Sequence, residues 1–494
     1  MIRRITLVEP KSEHYNIFSL YKLPRLGGIL LATLLRDKGY DAESVFMDTP
    51  DLFSRRTEAD LVGISAITPT AKSSYKVADF FRARGVPVVM GGPHVTFLPE
   101  ESLEHADFCI AGEGESGLPM LVDALNQGSS LEEVPGLIWR EGDAIRMNPT
   151  AEPLRDLDSL PFPDFSLLDM GQGKKGSGAR ALPRTLPVQT SRGCPYDCTF
   201  CSVTPMFGRR YRHRSAGNVI AELLRIDPGR HEIFFYDDNF AADPRATKEL
   251  LREMIRRRLG FRWSTQVRTD IVRDDEMLDL IAEAGCKALY VGLESVNVKA
   301  LTEMKKKQTV EDIRHSIREI RRRGIHLHGM FVFGFDSDTP QTARETVTFA
   351  LREKVDSAQF LILTPLPGSP FFSQMASEGR LLDREWDTYD GHHVKFASRG
   401  FTPWGLQRAQ IEAHTRFYSP AHVAGRLLRG RFLAFLVGLY AFALNRRWQH
   451  EERDYLRELK GLRIAPELRG FPERESGMAK EHGLGVLGGL QKVR

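Results

Sequence analysis

Cysteine is scarce. Only five occur in 494 residues: Cys109, Cys194, Cys198, Cys201 and Cys286. So sparse and odd a set excludes a disulfide framework and reads as cytoplasmic. The N-terminus, MIRRITLVEP, lacks the apolar run of a secretory signal. A bilayer-spanning stretch is missing too. The apolar run Phe432–Leu444 has 13 residues, short of the ~20 that a membrane helix needs. Charge of one sign is nearly absent, with 69 Lys and Arg against 65 Asp and Glu. A net charge of +4 gives no ground for a nucleic-acid partner. The basic runs IRRR (255–258), MKKK (304–307) and RRRG (321–324) read as solvated surfaces. What is present, 41% hydrophobic and 27% charged residues, fits two or three globular domains.

The first 145 residues alternate apolar runs (RRITLVEP, DAESVFMD, ADLVGISAIT, VPVVMGG, ADFCIAGEGE) with helical periods. That rhythm predicts a doubly wound, Rossmann-like parallel sheet, with ligands outside the carboxyl ends of the strands. Those ends carry SAITPT (65–70), GGPHVT (91–96) and GEGE (112–115). Residues 146–185, rich in Pro and Asp and then GQGKKGSG (171–178), read as a linker. The rhythm resumes over 186–400. Strands are expected at 186–192, 232–238, 261–268, 287–295, 326–335 and 357–365. Six such units predict a partial (β/α)6 barrel of the TIM type, with its chemistry at the carboxyl ends of the strands. Residues 401–494 read as helical, ending in a loose tail from 475.

Three of the five cysteines fall in SRGCPYDCTFCSV (191–203), spaced C-x3-C-x2-C after the first strand of this second part. Thiolates are soft ligands for iron–sulfur clusters or zinc. Zinc would want a fourth ligand, for which His213 is the candidate. A [4Fe–4S] cluster held by three thiolates keeps one iron open for a substrate. Spacing leaves both readings standing, beside that of an ordinary loop. Cys109 and Cys286 sit in apolar surroundings and read as buried small hydrophobes. GRRYRHR (208–214) is placed to meet an anionic ligand.

The cysteine motif, with YDDNF (236–240), VGLES (291–295), GMFVFGFDSDT (329–339) and PLPGSPFF (365–372), resembles the radical S-adenosylmethionine (SAM) superfamily over roughly 186–375. The resemblance implies a [4Fe–4S] cluster on Cys194, Cys198 and Cys201. Its open iron would chelate SAM, which one electron cleaves to a 5′-deoxyadenosyl radical. It also implies SAM contacts from Phe200, Tyr236, Asp237, Asp238, Arg268, Glu294 and Gly334. Among these, Arg268 would grip the carboxylate and the carboxylates would face the cationic end.

The first domain resembles the cobalamin (B12)-binding domain fused to one branch of that superfamily. This implies a corrinoid lying against Ser65, Ile67, Thr68, Gly91, Gly92, Pro93, His94, Val95, Glu113 and Gly114. There is no D-x-H-x-x-G, and DGHHVK (390–395) lies outside the domain, so no histidine is assigned as a lower ligand to cobalt. A degenerate domain that holds no cobalamin is the alternative.

The implied activity is methylation of an unreactive carbon in a hydrophobic substrate (an isoprenoid or hopanoid lipid, or a tetrapyrrole) or in a natural product. No catalytic side chain is assigned. Radical cyclisation or rearrangement is the alternative, and a non-catalytic iron–sulfur or corrinoid regulator the alternative of another class. The implied partners are a small-molecule substrate and an electron donor of flavodoxin or ferredoxin type. The arginine-flanked apolar stretch 426–448 has two readings. One is a buried bundle helix, the other a helix in the interface of the inner membrane face.

Overall fold

Apolar runs that alternate with helical periods become parallel strands and crossover helices. A computed structural model describes residues 1–12, 23–47, 52–53, 58–170, 184–464 and 490–492. The stretch GQGKKGSG and the tail, apart from 490–492, lie outside the described residues. The chain divides into two compact units. One comprises Met1–Asp197, Ser202–Val267 and Asp274–Ala288; the other Cys198–Cys201, Arg268–Arg273 and Leu289–Arg494.

In the first unit, β1 (Arg4–Pro10), β2 (Asp41–Met47), β3 (Leu61–Ser65), β4 (Val88–Gly91) and β5 (Phe108–Ile110) pair in parallel. Helices α1 (Leu26–Asp37), α2 (Ala71–Arg82) and α3 (Gly114–Gln127) follow β1, β3 and β5 in the chain. β3 and β4 are buried almost throughout, as parallel strands covered on both faces must be. The expected doubly wound sheet is present, with two additions. β6 (Leu137–Glu141) and β7 (Ala144–Met147) form an antiparallel hairpin beside β5. Its tight turn needs Gly142, whose φ is +60°, and Arg146 closes it on Glu141 at 2.7 Å. β8 (Leu168–Asp169), from the segment read as a linker, pairs with β2.

The second sheet holds six strands in sequential order: β9 (Thr185–Val188), β12 (Glu232–Phe235), β13 (Trp263–Val267), β14 (Cys286–Glu294), β15 (His326–Phe333) and β16 (Ser357–Ile362). The pairs β9–β12, β12–β13 and β15–β16 are parallel. The helices between them are α4 (Ala216–Leu223), α5 (Pro244–Arg256), α6 (Asp275–Glu283), α7 (Val310–Arg322) and α8 (Pro340–Arg352). Each starts where the sequence supplies a cap. Ser215, Asp243, Asp274, Thr309 and Thr339 accept backbone N–H groups of the first turn.

The first strand of this sheet departs from expectation. Residues 186–192 do not form one strand. β9 ends at Val188, and β10 (Ser191–Arg192) turns away to pair antiparallel with β11 (Arg212–His213). The Asp237 carboxylate causes the break. It draws in the N–H groups of Thr190 (3.0 Å) and Ser191 (2.5 Å) together with both hydroxyls.

Helices α9 (Pro403–Phe417), α10 (Pro420–Leu428), α11 (Phe432–Glu451) and α12 (Arg453–Gly461) follow in the second unit. Phe360 of β16 packs on His414 and Phe417 of α9, and Tyr418 clasps both backbone groups of Ala358. The apolar run of the arginine-flanked stretch lies in α11. Ala434, Gly438, Ala441, Leu444 and Trp448 form its buried stripe. A Cβ on Gly438 would stand 2.7 Å from Arg426 Nη1 and 3.0 Å from a Val423 methyl, so a larger residue there would push these α10 side chains aside. On its other side Phe432, Leu433, Leu436 and Leu439 are exposed. No helix among the described residues is long and apolar enough to cross a membrane. DGHH forms a buried knot here, in which Asp390 accepts the backbone N–H groups of His392 and His393 and pairs with the His393 ring at 3.0 Å.

Candidate cofactor sites

Glycines and apolar side chains at the carboxyl ends of β1, β3, β4 and β5 leave a cleft of about 230 Å³ in the first unit. Ser65, Ile67, Gly91, Gly92, Pro93, Glu113 and Gly114 line it. Gly92 has φ +97°, and a Cβ there would sit 2.7 Å from the Ala66 carbonyl. Glycine alone therefore lets the loops after β3 and β4 meet, leaving bare backbone at the cleft. Thr68, His94 and Val95 are buried behind that wall. The His94 ring is engaged by the Tyr75 hydroxyl at 2.9 Å and by Thr68 Oγ1 at 3.3 Å.

The charged rim is internally matched. Arg212 donates through both terminal nitrogens to the Glu113 carboxylate, 3.0 and 2.5 Å, and Arg192 pairs with Glu115 at 2.5 Å. Burial alone would raise the Glu113 carboxyl. Arg212 and Arg192 outweigh it and hold the group below the usual range. Arg214 is likewise committed to Glu222. Both cations belong to GRRYRHR, and their guanidinium groups are turned to internal carboxylates; neither was foreseen as an internal partner. His213 faces Asp243 at 3.6 Å.

In YDDNF, the Tyr236 side chain lines this same cleft. Asp237 is 1% exposed, and burial lifts its carboxyl to about 6 against the four hydrogen bonds that favour its charge. Asp238, next along the chain, is exposed.

The second unit gathers Arg268, Glu294, Cys198 and Phe200. Arg268 directs Nη1 to Cys198 Sγ at 3.8 Å and donates from Nη2 to the Lys306 carbonyl at 2.5 Å. The guanidinium thus sets a fixed cation beside one sulfur of the cysteine motif. The loop 198–201 is pinned by backbone. Thr199 N–H reaches Met304 O at 3.3 Å, and Thr199 O accepts from Phe371 N–H at 2.9 Å. Phe200 meets Phe335 edge to face, with ring centroids 6.2 Å apart. Glu294 accepts from Lys306 Nζ at 2.5 Å, each side chain 8% exposed. Gly292 makes room, since a Cβ there would stand 2.5 Å from the Glu294 carboxylate. Gly334 has φ +120°, and its N–H and that of Phe335 both reach Asp338 at 3.2 Å. Cys194, Cys198 and Cys201 are partly exposed and free of disulfides. Among the described residues no group of three His, Cys, Asp or Glu side chains is gathered as for one metal ion. A cluster asks for something else, one thiolate per iron. Cys109 and Cys286 are buried, and burial pushes both thiols up.

Two family models match the chain: the radical SAM superfamily over residues 188–350 and the B12 binding domain over 18–122. An uncharacterized methyltransferase of Pyrococcus horikoshii is 31% identical over 409 residues, covering 80% of this chain and 88% of its own. The chain belongs to the radical SAM superfamily, in the branch that carries a B12-binding domain. A second relative of this radical SAM enzyme is the bacteriochlorophyllide d C-12(1)-methyltransferase of Chlorobaculum tepidum. It is 28% identical, with 89% of this chain and 92% of that one covered. Among solved structures, the radical SAM methyltransferase TsrM of Kitasatospora setae, described with cobalamin and a [4Fe–4S] cluster, shares the fold. Its TM-score is 0.64 at 22% identity, over 77% of this chain and 78% of that one.

Several residues of this radical SAM protein's sites escaped sequence reading. Lys306, in a basic run that reads as solvated, is 6% exposed. Gln308, two positions on, is buried as well and donates to the Leu293 carbonyl at 2.9 Å. Glu9 and Arg25, at the cleft, had only the oddity of a carboxylate in an apolar strand.

Proposed function

We propose that this enzyme is a cobalamin-dependent methyltransferase acting on an unactivated carbon of a hydrophobic substrate. The observation that carries the reading is the glycine-floored cleft, where bare backbone at Gly91 and Gly92 lets a large flat group approach. Cys194, Cys198 and Cys201 would hold the cluster, with SAM taken by residues among Phe200, Arg268, Glu294 and Gly334. When bound, the cluster supplies electrons and cobalamin carries the methyl group. The chain's own part is positional. Arg268 holds positive charge at Cys198, Asp238 offers a carboxylate, and the apolar walls of the cleft keep water out. A flavodoxin- or ferredoxin-type protein would donate the electrons. The bacteriochlorophyllide relative favours a tetrapyrrole-sized substrate. Reconstituted enzyme given SAM with a deuterated methyl group is expected to place that label on a carbon of a molecule extracted from the host. Release of 5′-deoxyadenosine with no labelled product would instead favour cyclisation or rearrangement. No 5′-deoxyadenosine at all would favour a regulator.

The exposed apolar side of α11, with Arg446 and Arg447 at its end, favours peripheral contact with a membrane that stores such a substrate. Leu436→Glu is expected to reduce co-sedimentation with anionic phospholipid vesicles by about tenfold, roughly the cost of a charge placed in an apolar contact. Equal sedimentation of variant and parent would remove this reading.

A further inference from the structure

One end of the cleft is polar, and its residues have no part in the reading above. Glu9, in β1, is 1% exposed. Its Oε2 accepts the backbone N–H of Arg25 at 3.1 Å and lies 3.6 Å from Arg25 Nε. Arg25 Nη2 donates to the Ser65 carbonyl at 3.1 Å. Two buried polar atoms are left over: Glu9 Oε1 and Arg25 Nη1 have no hydrogen-bond partner among the described residues. Both side chains line the cleft, as does Tyr236, whose hydroxyl feels both their charges.

The leftover atoms are of opposite kind. A carboxylate oxygen only accepts, and a guanidinium N–H only donates. A buried orphan of either kind is unfavourable, so the pair is poised for a ligand group that both donates and accepts. A carboxylate would meet the charge of Glu9, and an ammonium that of Arg25. A hydroxyl would have to serve both through a single oxygen, whereas a primary carboxamide answers them with a donor and an acceptor on separate atoms. We infer that Glu9 and Arg25 grip a primary carboxamide, its NH2 donating to Glu9 Oε1 and its oxygen accepting from Arg25 Nη1. Cobalamin carries such carboxamides around the rim of its corrin ring. The inference therefore rests on the reading that the cleft holds cobalamin, and deepens it by assigning two residues to one rim amide.

Charge swapping on both sides of the contact tests it. In Glu9→Gln the Arg25 N–H keeps the side-chain oxygen where Oε2 stood, so the new NH2 takes the place of Oε1. A donor then faces the cleft beside Arg25, a pair that suits a carboxylate and rejects a carboxamide. The probes are cobalamin and a set of its derivatives in which one rim carboxamide at a time is hydrolysed to the acid. Binding to the full chain is followed by absorbance titration. Expected for the parent is tight binding of cobalamin and a loss of about tenfold or more for one derivative only. Glu9→Gln is expected to weaken cobalamin by about tenfold and to bind that same derivative better than the parent does, which also shows the variant folded. The inference falls if the parent binds every derivative equally, or if Glu9→Gln weakens all of them alike. If the parent binds no cobalamin, the corrinoid reading of the cleft falls first, a distinguishable result.

Discussion

Cys198→Ala is expected to abolish reductive SAM cleavage while leaving the fold intact. The loop that carries Cys198 is fixed by backbone bonds of Thr199 to Met304 and Phe371, none of which needs the thiol. Removing Sγ therefore removes a ligand without releasing the loop. Changes to groups that merely support a metal ligand cost 10–100-fold in affinity or activity, and loss of the ligand itself must cost more. Anaerobically reconstituted Cys198→Ala should hold substoichiometric iron and release 5′-deoxyadenosine at less than about one-hundredth of the parent rate. Cys109→Ala and Cys286→Ala are the controls, because burial keeps both thiols protonated and away from metal chemistry. Retention of iron and of cleavage within tenfold in Cys198→Ala would remove the assignment of the motif.

The readable part of this protein is the part set by short-range rules. Apolar runs marked β1 to β5 and most of the second sheet, and a Ser, Thr or Asp stands ahead of each crossover helix of the second sheet. The cysteine spacing was readable for the same reason, since three ligands within eight positions need no tertiary partner to be recognised. What stayed hidden depends on distant pairing. Arg212 looked free to meet an anion until Glu113, 99 positions away, was found beside it. The break after Val188 is dictated by Asp237, 46 positions from Ser191. Nothing local distinguishes such an aspartate from one that awaits a cationic ligand. The β6–β7 hairpin is a different kind of miss, since the EGDA turn was visible but lay in a stretch read as the end of a domain.

Lys306→Met brings these threads to a measurable point. Lys306 stands between Lys305 and Lys307, which have φ of +52° and +55°, and its partner Glu294 has φ of +60°. Left-handed backbone at a non-glycine residue costs of order 1–3 kcal/mol, and such positions cluster where a site demands a particular side-chain aim. Here the aim is one buried cation on one buried carboxylate, with the Lys306 carbonyl held by Arg268 on the same loop. Removing the cation strands the Glu294 charge, which in a buried pair costs about 3–5 kcal/mol. Denaturant unfolding of parent and variant at neutral pH reads the loss. Glu294→Gln added to Lys306→Met removes the stranded charge and should restore most of the loss, though the buried amide then lacks its strongest partner. A single variant that loses less than about 1 kcal/mol would show that the pair is solvated and that the left-handed loop serves some other contact.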